Sequence, residues 1–119
     1  MKTPNQPMFG MYSTANSGFA AANSDIILNA GAVPGIKVDT GAKALANSSE
    51  ETITEGLDDL RPRLLKYYKL GARFTKWRGV YKISKEYPSK LSIHSNAHAL
   101  ARYSALAQES GMVPIVEPE

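Results

Sequence analysis

The sequence predicts an α/β fold in which short parallel strands alternate with amphipathic helices. Three segments share one arrangement, a glycine followed by a short apolar run and then charged residues at alternate positions. They are GAVPGIKVD (Gly31 to Asp39), GARFTKWR (Gly71 to Arg78) and GMVPIVEPE (Gly111 to Glu119). Helical stripes separate them, and Lys76 follows Lys37 by 39 positions, as Ile115 follows Lys76. Strands that alternate with helices are joined by right-handed crossovers into a parallel sheet, here an array of about three β/α units, open or barrel-like.

Taken in order, residues 1–24 carry no charge after Lys2, and Pro, Gly, Ser, Thr and Asn interrupt every apolar patch. That segment is expected to be irregular or disordered. Regular patterning starts at Asp25, so residues 25–119 are expected to form the folded domain. After the first strand, Leu60, Leu64, Tyr67, Tyr68 and Leu70 form a helical stripe that ends at Gly71. Pro62 is tolerated only in a first turn, which puts the start near Asp59 as N-cap. Between the second and third strands, Ala97, Leu100, Ala101, Ser104 and Ala107 predict a helix from Asn96 to Glu109, with Gly111 as a left-handed cap.

Composition narrows the function classes. With 119 residues the chain is one domain at most and falls short of the roughly 250 residues of a complete eight-stranded β/α barrel. It has no cysteine, which removes disulfides, thiolate metal sites and cysteine nucleophiles. The net charge of +3 comes from scattered residues with no run of five, which argues against nucleic acid; a phosphate-bearing ligand needs only a few cations in one pocket. No apolar stretch approaches the roughly 18 residues of a membrane helix, and Met1-Lys2 leads into Pro4, Asn5, Gln6 and Pro7 instead of a secretory core. A cytoplasmic protein is expected.

Side chains two apart on a strand share a face, so Lys37 with Asp39, Lys76 with Arg78, and Glu117 with Glu119 each project to one side. All three pairs sit at the carboxyl ends of their strands, at what the spacing presents as a common register. In parallel β/α proteins ligands bind at that end. The six groups suit proton transfer and phosphate binding, and they equally suit an internal ion-pair network or solvated strand ends. His94 and His98, four apart on a helix, lack the further ligands of a metal motif and are expected at the surface.

GIKVDTGAK (Gly35 to Lys43), TEGLDDLRPRL (Thr54 to Leu64), GARFTKWR, NAHALARYSALAQE (Asn96 to Glu109) and VPIVEPE (Val113 to Glu119) together resemble class I fructose-bisphosphate aldolases. The resemblance runs from about Asp25 to Glu119. It implies part of a (β/α)8 TIM barrel and the reversible cleavage of fructose 1,6-bisphosphate to dihydroxyacetone phosphate and glyceraldehyde 3-phosphate in glycolysis. The reaction passes through a lysine Schiff base, with no metal or other cofactor. It also implies a phosphorylated sugar as partner, a homotetramer for the full-length family, and no role for nucleic acid or membrane.

Residue by residue, the resemblance makes Glu117 the general acid/base and Lys76 its neighbouring ammonium. Arg78 would bind a substrate phosphate, Lys37 would line the same pocket, and Glu119 and Asp39 would hold the lysines from behind. Trp77 is expected to face an outer helix. The family's Schiff-base lysine belongs to the strand after Glu119, and its first-strand aspartate has no match in residues 1–24. These residues alone are therefore expected to be inactive, with a phosphate-binding module or one part of a split enzyme as the alternatives.

Overall fold

The computed structural model describes residues 25–119 together with the backbone of Tyr12–Ser13. In chain order the elements are β1 (Tyr12–Ser13), α1 (residues 25–29), β2 (Gly35–Lys37), β3 (Gly41–Ala44) and β4 (Thr52–Glu55). There follow α2 (Leu60–Lys69), β5 (Phe74–Gly79), α3 (Lys90–Glu109) and β6 (Val113–Pro118). β1, β2, β5 and β6 form a parallel sheet in that spatial order, and β3 and β4 pair separately as an antiparallel hairpin. The alternating α/β architecture is thus the one expected. The irregular segment expected at residues 1–24 lies outside the described residues except for the backbone of β1.

The repeated glycine marks one turn used three times. At the end of α1 the N–H of Gly31 donates to Leu28 O and that of Ala32 to Ile27 O; Gly71 and Ala72 bond Tyr68 and Tyr67 in the same way, as do Gly111 and Met112 to Gln108 and Ala107. Each turn needs a residue with positive φ, and the glycines take 81°, 111° and 85°. A side chain there would meet its own backbone, so glycine is the inexpensive solution. Each turn satisfies the last carbonyls of a helix and releases the chain toward the next strand.

The strand spacing becomes register directly. Lys37 lies opposite Lys76, and Lys76 opposite Ile115. On one face of the sheet α2 and α3 bury Leu60, Leu64 and Tyr67 with Ala99, Leu100, Tyr103 and Ala107, all against Ile36, Val38 and Trp77. The Tyr103 hydroxyl bonds Thr75 Oγ1 (2.7 Å) and donates to Ile115 O (3.0 Å), so the helix is tied to both β5 and β6. Burial pushes this phenol well above the ordinary tyrosine range.

Several expectations are corrected. α3 starts at Lys90, not Asn96, because Ser89 is its N-cap and accepts the Ser92 N–H at 3.1 Å. Its first turns bury the polar Ser92 and Asn96 while Leu91 and Ile93 stay exposed, so hydrophobic period gives no signal there. Further along, Ala97 and Ala101 face outward, and Ala99 and Tyr103 take the buried face with Leu100 and Ala107. Asp59 is the N-cap residue of α2, yet it sits at φ 54° with no capping bond from its side chain. The hairpin was not expected at all; its Gly56 (φ 138°) brings the returning chain so close that a Cβ would lie 2.9 Å from Asp39 Cα.

The two caps and the carboxylate behind one of them each give a prediction. Ser89→Ala should lower stability by about 1 kcal/mol in urea unfolding, whereas Asp59→Gly should raise it by about 0.5–1 kcal/mol, since glycine accepts the left-handed backbone more readily. Burial works to raise the Glu51 carboxyl, but bonds from Ser89 Oγ (2.6 Å), Ser89 N–H (2.9 Å) and Ser48 Oγ (2.8 Å) outweigh it and hold the group below the carboxylate range. A lowered folded value stabilises fully above the ordinary carboxyl pKa and fades as pH falls through the lowered one. Glu51→Gln should therefore flatten the acid side of the stability profile, measured as melting temperature against pH.

Candidate functional site

β5 is the axis of the site. Trp77 is fully buried, with its ring 5.2 Å from that of Tyr103 on α3, so the period of two turns Lys76 and Arg78 to the opposite face. Among the described residues no helix covers that face. β2 and β6 flank β5 in parallel and bring their own charged pairs alongside.

Asp39 forms the buried end of the cluster, its side chain only 1% exposed. One carboxylate oxygen accepts from Lys37 Nζ and from the Gly41 N–H (3.0 Å), and the other accepts the Arg78 N–H at 3.0 Å. On the far side Lys76 Nζ lies 3.3 Å from Glu117 Oε2, and the Arg78 guanidinium pairs with Glu119 while standing 3.9 Å from Glu117 Oε1. All six groups named from the sequence therefore join one network at the carboxyl ends of β2, β5 and β6. They do not share one level: Glu117 lies opposite Arg78, and Ile115 opposite Lys76, so the third pair is displaced one step along β6. The common register expected from the spacing holds for the first two pairs alone.

Exposure rises across the cluster. Lys76 is 13% exposed at its side chain, Glu117 35%, Arg78 45% and Glu119 57%. Lys76, Arg78, Glu117, Pro118 and Glu119 line an open cleft of about 520 Å³. A carboxylate in contact with an ammonium in such a place can give or take a proton, and a half-exposed guanidinium can exchange a carboxylate for another oxyanion. Pairing within the cluster offsets the cost of partial burial for each charge.

His94 and His98 are exposed on α3, and among the described residues no group of three or more metal-ligating side chains is close enough to hold an ion. Among the described residues no helix is long and apolar enough to cross a membrane. Sequence reasoning missed the contribution of the hairpin, whose Thr54 donates its hydroxyl to Arg78 O at 2.7 Å. The one available signal was TIT at Thr52 to Thr54, a β-branched run too short to stand out.

Comparison with known proteins gives this geometry a context. Residues 10–119 match the family model described as "Glycolytic: Fructose-bisphosphate aldolase class-I". A "Probable fructose-bisphosphate aldolase class 1" of Xanthomonas campestris pv. campestris is 62% identical over 89 residues, which is 75% of this chain and 27% of that protein. "Fructose-bisphosphate aldolase 6, cytosolic" of Arabidopsis thaliana is 57% identical over 95 residues, 80% of this chain and 26% of that one. The fructose-bisphosphate aldolase of Plasmodium falciparum, crystallised with TRAP and a small-molecule inhibitor, superposes with a TM-score of 0.76 at 47% identity, covering 81% of this chain and 28% of that one. The chain thus spans about a quarter of the length of these relatives. On a match that takes in both the sheet and its charged end, the chain belongs to the class-I fructose-bisphosphate aldolase family.

Proposed function

We propose that these residues supply the acid/base and phosphate-binding side of an aldolase active site that cleaves fructose 1,6-bisphosphate through a lysine Schiff base. The observation that carries this reading is the pair of ion-pair groups, Lys37–Asp39 and Lys76–Glu117–Arg78–Glu119, joined by the Arg78 N–H on Asp39 at the carboxyl end of parallel strands. Glu117, in contact with Lys76, moves the proton during formation and dehydration of the carbinolamine, and Lys76 stabilises the charge that develops there. Arg78 releases Glu119 to take a phosphate oxygen, and Lys37, paired with Asp39 at the end of β2, adds a further cation beside the cleft. Asp39 and Glu119 hold Lys37 and Arg78 in place by pairing with them and offset the repulsion among the cations.

In this reading the Schiff-base lysine belongs to a strand beyond β6, and the full protein is a cytoplasmic glycolytic lyase that assembles as a homotetramer. Plant relatives named cytosolic, in Arabidopsis thaliana, and cytoplasmic, in Pisum sativum, support the location. The covalent step belongs to the Schiff-base lysine, because proximity of the other groups cannot replace a nucleophile.

Grafting this segment into the full-length Xanthomonas relative, in place of its own counterpart, tests the reading. The chimera should cleave fructose 1,6-bisphosphate, and Glu117→Gln should lower its kcat by about 10²–10⁴. Arg78→Ala should raise KM more than it lowers kcat. Borohydride reduction in the presence of dihydroxyacetone phosphate should trap a covalent adduct on the chimera and none on the isolated 119 residues; an adduct on the isolated chain, or an inactive chimera that is folded, would overturn the assignment.

A further inference from the structure

In a parallel sheet successive residues of a strand direct both backbone groups to alternate neighbours. Val38 donates to Lys76 O, so Lys76 and, two residues on, Arg78 turn theirs toward β2, while Gly79 O receives the Glu119 N–H on the β6 side. β2 ends at Lys37, too short to reach Arg78. The peptide groups of Arg78 would be left without a partner on that side. Two side chains take over: Asp39 Oδ2 accepts the Arg78 N–H, and the Thr54 hydroxyl donates to Arg78 O at 2.7 Å.

Thr54 is itself held from a distant part of the chain. β4 pairs with β3 through alternate residues, which leaves Thr52 O and the Thr54 N–H facing away from the hairpin. The side-chain amide of Asn96, on α3, meets both: Nδ2 donates to Thr52 O at 3.0 Å and Oδ1 accepts the Thr54 N–H at 3.3 Å. A further bond from Nδ2 to Ser92 O (3.1 Å) orients the amide. Asn96 thus acts toward β4 as a third strand would, and both Thr54 and Asn96 are almost fully buried. Burying an amide and a hydroxyl so completely is justified only when each is satisfied, as both are here.

We propose that Thr54 and Asn96 are positioning residues for Arg78. They hold the hairpin against the end of β5 and fix the peptide from which the guanidinium springs, in the place of a ladder that β2 is too short to provide. The inference rests on the reading of Arg78 as the phosphate-binding residue. Neither Thr54 nor Asn96 touches the cleft; their action passes entirely through the Arg78 backbone.

A double-mutant cycle in the full-length chimera decides it. Thr54→Val, which preserves shape but strands Arg78 O, is expected to raise KM for fructose 1,6-bisphosphate and Ki for inorganic phosphate by about threefold to tenfold with a smaller change in kcat. Thr54→Ser should restore both constants, and Asn96→Ala should resemble Thr54→Val. In an Arg78→Ala background Thr54→Val should add less than about twofold, because the group it positions is gone. Equal effects of Thr54→Val with and without Arg78, or no effect on KM while Arg78→Ala raises it, would overturn the positioning role alone. An Arg78→Ala enzyme with unchanged KM and phosphate Ki would instead overturn the reading of Arg78 on which it rests.

Discussion

The burial of Trp77 is the constraint from which the site follows. No other side chain of β5 is so large, and α2 and α3 enclose it on one face of the sheet. Once Trp77 is inside, the two-residue period of the strand sends Lys76 and Arg78 to the uncovered face with no further instruction. The same alternation delivers Lys37 from β2 and Glu117 from β6. Hydrophobic packing on one side of a sheet therefore composes the electrostatics of the other, with Tyr103 locking β5 to β6 so that cation and carboxylate arrive within reach.

Within the cluster, the fate of each charge depends on its depth. Asp39 is sealed from water and accepts bonds from two backbone amides and one ammonium, an arrangement in which losing a single partner would leave a buried charge unmatched. Arg78 and Glu119 are about half exposed, where water screens the attraction and a surface pair contributes little to stability. The deep end is built to stay as it is, and the shallow end to exchange partners. Chemistry that must admit and release an anion belongs at the shallow end.

What was legible in the sequence is what is local or periodic. The turns at Gly31, Gly71 and Gly111 are encoded by one residue each, and the spacing of Lys37, Lys76 and Ile115 is reproduced as strand register. The six charged residues were legible for the same reason, since alternation along a strand is a property of the backbone. The hairpin was not, because β3 and β4 are short, partly exposed, and seated by Asn96, more than 40 residues away in sequence. The first turn and a half of α3 escaped because it buries serine and asparagine through hydrogen bonds instead of apolar surface. Asp59 misled in the opposite way: the residue type fits a cap, but its backbone is left-handed and its carboxylate makes no bond to the helix amides.

The recurrence of one turn three times at equal spacing carries a hazard as well as an economy. Strands launched from identical junctions, with matched spacing, offer a folding chain decoy partners: β6 could lie where β2 belongs with little change in local geometry. A symmetric array resolves such degeneracy only through features that occur once. The amide of Asn96 fits the outer edge of β4, and β4 follows only the first of the three strands. That single handshake across the chain labels the first unit as distinct from the second, and so gives an otherwise repetitive sheet its sense of order.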